Sequence, residues 1–206
     1  MLEKINFWLW KHKKSSKSAL KFYLSIYDGI NGFELSKTDR SSLGDSFEMV
    51  YGEIDFYTLA QLLRNIHPSE SDVFYDLGCG TGKAVIIANL LYPLKKSYGI
   101  ELLPSLYQTC LSSLKKLKSE NDKNIHFIQD DFFNIGFKEA TIIYLTGTGF
   151  FGERKTKLID KLKECNSGCW VIIVSKQLPE TDFTLYFRNF LPMSWGTALI
   201  SMYRRK

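Results

Sequence analysis

The chain has 206 residues, long enough to bury a sizeable core, and reads as one compact unit. Hydrophobic residues make up 45% and charged residues 24%, which excludes a disordered or fibrous chain; Phe and Tyr are frequent. A net charge of +5, concentrated in Lys11 to Lys21, is a mild bias that falls short of a nucleic-acid signature.

Cys79, Cys110, Cys165 and Cys169 show no paired framework, which favours a reducing, cytoplasmic setting. No second pair or His cluster completes a zinc site around Cys165 and Cys169, so no metal is expected. His12, His67 and His126 are scattered and read as structural or surface residues. No apolar run is long enough to span a bilayer. Phe7-Trp8-Leu9-Trp10 has its basic segment after it and no small-residue cleavage site, unlike a signal peptide.

In chain order, residues 1–48 read as an N-terminal helical region and 49–206 as the main domain. Leu2, Ile5, Trp8 and Leu9 recur at helical spacing, and Ala19 to Tyr27 is a second apolar stretch. Asp28-Gly29 and Asn31-Gly32 mark turns. The basic run Lys11-His12-Lys13-Lys14 reads as a solvated helix end; the sharper alternative is a docking patch, beside Trp8 and Trp10, for an acidic partner or a membrane surface. Phe47 to Glu53 then precedes a helix from about Asp55 to Ile66, with Phe56, Leu59, Ala60, Leu63 and Ile66 at a helical period; His67-Pro68 stops it.

Val73 to Leu77 reads as a buried strand, Gly78, Gly80 and Gly82 punctuate a tight turn, and Ala84 to Leu91 is an apolar helix. Strand, glycine turn and helix are the first half of a nucleotide-binding βαβ unit. The next strand, Ser97 to Glu101, ends in an acid about twenty residues on, where a carboxylate accepts from ribose hydroxyls. The glycines fall as G-x-G-x-G after Asp76, not as the G-x-G-x-x-G that aims a helix at a pyrophosphate. This form is similar to motif I of the class I S-adenosylmethionine (SAM) methyltransferases. SAM has no phosphate, and an acid at the strand end serves its ammonium. Leu102 to Lys118 is the following helix, Asn121-Asp122 a turn, and Ile125 to Gln129 the third strand. Asp131-Phe132 follows it: a carboxylate to accept from the exocyclic amine of adenine, and a ring to pack on its face. Asp131 is preferred to Asp130 because it directly precedes Phe132.

Thr141 to Leu145 is the fourth strand, and Thr146-Gly147-Thr148-Gly149-Phe150-Phe151-Gly152 lies at its end, where open α/β sheets bind substrate. Glu153 to Glu164 is a helix, Trp170 to Val174 a fifth strand, and Phe183 to Phe190 and Thr197 to Tyr203 a closing strand pair joined by 191–196. The expected fold is therefore α/β, a Rossmann-like, mostly parallel seven-stranded sheet with a short helical N-terminal region.

Tyr51-Gly52-Glu53 and its following helix, Asp76 to Lys83, Tyr98 to Glu101, Asp131-Phe132 and Ser194-Trp195 together resemble the non-SET histone-core lysine methyltransferases of the disruptor-of-telomeric-silencing type. The resemblance covers about Val50 to Arg205 and implies the class I methyltransferase sheet with SAM as cofactor and S-adenosylhomocysteine as product. It implies that Tyr51, Gly52 and Glu53 close over the methionine end, with Glu53 near the ammonium. The glycine-loop contacts fall on Asp76, Gly78, Cys79, Gly80, Thr81, Gly82 and Lys83, with Glu101 on the ribose and Asp131 and Phe132 on the adenine. Two departures stand out. The family's Asn-Asn-Phe-like run after the fourth strand is Thr146 to Phe150 here, and about 48 residues stand where the family has a long substrate-binding region. A smaller, bacterial-type relative acting on a protein other than the nucleosome is thus expected, with no nucleic acid needed for catalysis.

Methyl transfer from a sulfonium is an in-line displacement, so orientation supplies much of the rate. A lysine acceptor must be neutral, and with a pKa near 10.4 only about one in two thousand is neutral at pH 7. An apolar channel and the nearby sulfonium both lower that pKa. Trp195, Phe150 and Phe151 are the candidate walls and Tyr51 an orienting group, with no dedicated general base. The alternatives are a SAM-dependent methyltransferase of RNA or a small molecule, or a non-catalytic SAM-binding interaction protein.

Overall fold

The computed structural model describes residues 10–44, 46, 49–117 and 123–206. Seven strands form one sheet: β1 (Val73–Leu77), β2 (Lys96–Glu101), β3 (Ile125–Gln129), β4 (Ile142–Thr146), β5 (Trp170–Val174), β6 (Phe183–Met193) and β7 (Gly196–Arg205). Their order is β3-β2-β1-β4-β5-β7-β6. The first five run parallel, β7 pairs antiparallel with β5, and β6 antiparallel with β7. The chain steps outward from β1 to β3 and then returns to place β4 on the other side of β1. That reversal opens a crevice beyond the carboxyl ends of β1 and β4, where α/β sheets bind ligands.

Six helices are described: α1 (Lys14–Ile26), α2 (Gly32–Leu43), α3 (Phe56–Ile66), α4 (Lys83–Leu91), α5 (Pro104–Leu117) and α6 (Gly152–Leu162). None is long and apolar enough to cross a membrane. Along β1 every residue is buried because both sheet faces are covered. Phe74 faces a core shared with Leu59 and Leu63 of α3 and Val85 and Ile87 of α4. Val73, Tyr75 and Leu77 face a second core with Ile143, Leu158, Leu162 and Val171. The period of two in the strand thus divides one apolar run between two layers.

Asp55 caps α3, its Oδ1 accepting from the amides of Tyr57 and Thr58, and His67 ends the helix in a left-handed conformation ahead of Pro68. The N-terminal helices share the core of the sheet. Tyr23 and Ile26 of α1 join the first core, and Asp39 of α2 accepts from Ser105 N at 2.8 Å and Ser105 Oγ at 2.6 Å, capping the first turn of α5 from outside that helix. The expected apolar stretch Ala19 to Tyr27 lies mostly in α1, which starts earlier, at Lys14. Lys13 and Lys14 are exposed, as a solvated helix end should be, and Lys11 Nζ lies 4.3 Å from the centroid of the Tyr57 ring. The expected helix through Leu2, Ile5, Trp8 and Leu9, and the Asn121-Asp122 turn, lie outside the described residues.

The closing strand pair is longer than the sequence suggests. β6 continues through Pro192 to Met193, so only Ser194-Trp195 remains as the turn. Pro192 is tolerated because β6 is the edge strand, whose outward positions need no amide hydrogen for the ladder. The extra length carries the hairpin tip to the carboxyl edge of the sheet.

Candidate active site

Gly80 and Gly82 follow β1 with φ of 58° and 81°, the left-handed region that glycine enters without a Cβ clash. Gly78 N and Cys79 N both donate to Ile100 O at 2.9 Å, which ties the loop to the end of β2. A Cβ on Gly80 would stand 2.5 Å from Tyr51 Cε2, so the bare backbone is what lets the Tyr51 ring close on the loop.

Beyond the loop lies a cleft of about 790 Å³, its solvent-open mouth included. Glu101 borders it. Its Oε2 accepts from Gly80 N at 2.7 Å and its Oε1 from Leu103 N at 2.8 Å. Burial pushes its pKa up to about 7, against the opposing pull of these amides. In an adjoining recess, shared with Thr81, Lys83 and Tyr144, sits Asp76. Its carboxylate is buried, and Oδ1 meets no donor among the described residues. Burial, and then the charge of Glu101, raise its pKa well above the ordinary carboxylate range. Such an acid is costly to leave alone, and a cation beside it relieves the cost.

The segment 51–53 lies across the glycine loop. Tyr51 Oη donates to Glu53 Oε1 and lies 3.0 Å from Thr81 Oγ1. Lys83 Nζ meets Glu53 Oε2 at 2.5 Å. Burial first, and the Glu53 charge second, raise the Tyr51 pKa, so its hydroxyl stays a donor. The far side of the segment is fastened to the β6–β7 tip. Glu53 N donates to Ser194 Oγ at 3.0 Å, Ser194 N donates to Glu53 O at 2.9 Å, and Ile54 bridges to Met193. Thr58 Oγ1 of α3 donates to Pro192 O at 2.9 Å. The Trp195 ring lies so close on Gly52 that no Cβ fits between them.

At the other end of the cleft, Asp131 Oδ1 accepts from Phe133 N at 3.0 Å and caps a 3-10 turn over Phe132–Asn134. Asp130 Oδ1 is drawn to Asp131 N at 2.7 Å and Asn134 Nδ2 at 2.9 Å. The Phe132 and Phe133 rings stack with centroids 4.5 Å apart, and Phe150 lies 6.0 and 6.3 Å from them.

Most of the residues singled out in the sequence meet here. Tyr51, Gly52, Gly78, Gly80, Glu101, Asp131, Phe132 and Phe150 line the cleft, while Glu53, Asp76, Cys79, Thr81 and Lys83 line the recess. Several are placed differently from expectation. Glu53 is engaged by Lys83 and Tyr51, so the unpartnered acid of the recess is Asp76. Gly82 borders neither space and instead backs onto Phe127, whose Cζ a Cβ would approach at 2.8 Å. Trp195 lies behind Gly52 rather than on the cleft wall, and is 40% exposed. Phe150 joins the Phe132–Phe133 cluster. Phe151 is 62% exposed, outside the cleft. The sequence reading missed Leu102, Leu103, Leu106 and Phe133, which also wall the cleft. Their signal was position alone: Leu102 and Leu103 follow directly on Glu101 at the tip of β2, Phe133 follows Asp131-Phe132 after β3, and Leu106 lies on the first turn of α5.

A family model described as histone methylation protein DOT1 matches residues 45–193. Two curated relatives are similar in sequence. A Caenorhabditis elegans protein named "Histone-lysine N-methyltransferase, H3 lysine-79 specific" is 31% identical over 150 residues, 68% of this chain and 16% of that protein. A "Protein-lysine N-methyltransferase" of Saccharolobus islandicus (strain REY15A) is 31% identical over 83 residues, 40% of this chain and 50% of that one. The matched regions thus span half or less of these relatives' length. Among solved structures, a putative RNA methyltransferase from Pyrococcus horikoshii superposes with a TM-score of 0.63 at 15% identity, covering 94% of this chain and 98% of that one. An RNA methyltransferase from Salinibacter ruber, in complex with S-adenosyl-L-homocysteine, gives 0.57 at 21% identity over 72% of this chain and 90% of that one. At such identities these likenesses concern the fold, the seven-stranded sheet of Rossmann-like methyltransferases. With most of its length matched by one family model, the chain belongs to the DOT1 histone methylation protein family.

Proposed function

We propose that the chain is a SAM-dependent protein-lysine N-methyltransferase. The observation that carries this reading is the latch between two signals far apart in sequence. The Tyr51-Gly52-Glu53 segment lies directly on the glycine loop, joined to it through Thr81 and Lys83. The residues fit the cofactor: the buried Asp76 Oδ1 lacks a donor, and an ammonium at that end supplies one. Glu101 holds the ribose hydroxyls, and Asp131 with the stacked Phe132 and Phe133 holds the adenine. Tyr51 and Gly52 cover the methionine end. When bound, SAM supplies an electrophilic methyl group on a sulfonium.

The chain's own part is to orient and to desolvate. Tyr51 is fixed by two polar partners and by an edge-on contact with Phe33 at 5.1 Å, so its ring is a rigid wall. A lysine entering beside Tyr51 and Thr146 leaves water, and its pKa falls toward the neutral form that can attack. No carboxylate is assigned as base; the proton leaves through water at the open mouth. The histone specificity in the nematode relative's name is not carried over, since the shared part is a small fraction of that protein. The four free cysteines are in keeping with a reducing, cytoplasmic setting.

The test is calorimetry with S-adenosylhomocysteine, followed by transfer of labelled methyl from SAM into a protein fraction. Wild type should bind and label lysine. Gly80→Arg, whose side chain collides with Tyr51, should do neither while remaining folded by circular dichroism. Label confined to RNA or small molecules would sink the protein-lysine reading.

A further inference from the structure

Among the described residues, four border both the cleft and its recess: Tyr51, Gly52, Gly78 and Thr146. Sulfur is bonded to both halves of SAM, so a methionine end in the recess and a nucleoside in the cleft put the transferable methyl where the two spaces join. Gly52 and Gly78 carry no side chain, and the Tyr51 hydroxyl is engaged by Glu53 and Thr81. Thr146 is the remaining polar side chain at the junction. It ends β4, in register with Val174 of β5, and Gly147 N donates to Val174 O at 3.0 Å, so its backbone is held on the sheet. Its Oγ1 lies 3.2 Å from Tyr144 Oη, two residues back on the same face of the strand. Tyr144 is 4% exposed and lines the recess with Asp76, its partner in register on β1. Burial, and then the Asp76 charge, raise the Tyr144 pKa above its ordinary value, so the phenol keeps its proton.

A threonine hydroxyl has one hydrogen to give and two lone pairs with which to accept. With its hydrogen given to Tyr144, Thr146 keeps both lone pairs for a donor at the junction. A neutral amine attacking the methyl spends its lone pair on the new N–C bond, while the C–S bond breaks and its electron pair stays on sulfur. The N–H bonds take no part, so an N–H held by a fixed acceptor aims the lone pair. Resting on the lysine-methyltransferase reading, we propose that Thr146 Oγ1 accepts from the N–H of the attacking lysine amine, with Tyr144 as the residue that positions it. The proton shed by the product ammonium leaves through water at the open mouth. The role depends on how many methyls the lysine already carries. A neutral primary amine has two N–H bonds, a monomethylated one has one, and a dimethylated one has none. Thr146 therefore serves the first two transfers and not the third.

The test takes a single-lysine peptide spanning a lysine that wild type labels in a cell lysate, mapped by mass spectrometry. Its lysine is left unmodified, monomethylated, dimethylated or replaced by norleucine. With labelled SAM, Thr146→Val should lower kcat/KM on the unmodified and monomethyl peptides by about tenfold, the weight of one hydrogen bond. The rate on the dimethyl peptide, whatever wild type achieves, should not change. Thr146→Ser keeps the hydroxyl and should restore the wild-type order among the peptides. Tyr144→Phe should act in the same direction and add little in the Thr146→Val background. A readout without turnover is calorimetry of the peptides into protein saturated with S-adenosylhomocysteine, whose binding also reports an intact fold. There Thr146→Val should weaken the lysine peptide by about tenfold and leave the norleucine peptide as it was. Equal losses on all peptides, or no loss on the unmodified one, overturn the role of Thr146 and leave lysine methylation standing. Label in RNA alone, or cofactor binding with no label in any lysate protein, overturns both.

Discussion

Glu101 sits where burial and hydrogen bonding pull its pKa in opposite directions. Burial wins, and the result, about 7, puts half-ionisation inside the working pH range. On the proposed reading, in which ribose hydroxyls donate to the ionised form, affinity for S-adenosylhomocysteine should rise as pH goes from 6 to 8, by up to about tenfold per unit below the pKa. Glu101→Gln should flatten that profile in calorimetry, and an unchanged slope would remove Glu101 from the ribose. Without ligand the sign for stability is the reverse. The folded pKa lies above the ordinary value of 4.5, so the folded state holds its proton longer than the unfolded chain does. The stability this group contributes is full below about 4.5 and is lost as pH rises through about 7. Asp76, raised for the same reason, acts in the same direction. Both acids were legible in the sequence, because each ends a strand at a fixed distance from the glycine loop. Their ionisation was not, because burial depends on what the rest of the chain lays over them.

Two elements distant in sequence make the lid of the site. The β6–β7 tip grips residues 52–54 by two reciprocal hydrogen bonds, a bridge, and the Trp195 ring on Gly52. Gly52→Ala should therefore cost about 1–3 kcal/mol by overpacking. Trp195→Ala in the same chain should recover part of that loss, with a coupling of about 0.5–3 kcal/mol in a double-mutant cycle read by urea denaturation. Strict additivity would show that the ring and the loop do not bear on each other. Periodicity in the sequence found the strand pair but ended β6 three residues early, since Pro192 reads as a breaker until its place on the sheet edge is known. That shortfall hid the reach of the hairpin, and with it the position of Trp195.

At the scale of the molecule, the N-terminal helices and the sheet should melt together. Asp39 of α2 caps α5, Lys116 of α5 donates to Ile26 O at 2.8 Å, and Tyr27 Oη donates to Thr81 O at 3.2 Å beside the glycine loop. Asp39→Ala should cost about 1–2 kcal/mol, lowering Tm by roughly 2–8 °C for a chain of this size in a single cooperative transition. An unchanged core melt, with a separate early transition, would mean that the helices form their own unit. The sequence by itself determined the sheet, its glycine turn and the acids at its strand tips, since each is written in a local period or a short spacing. It could not place Tyr51 on Gly80, Trp195 on Gly52, Lys83 on Glu53 or Asp39 on Ser105. Those contacts join segments tens of residues apart, and only the closure of the tertiary fold decides which side chains meet across such gaps.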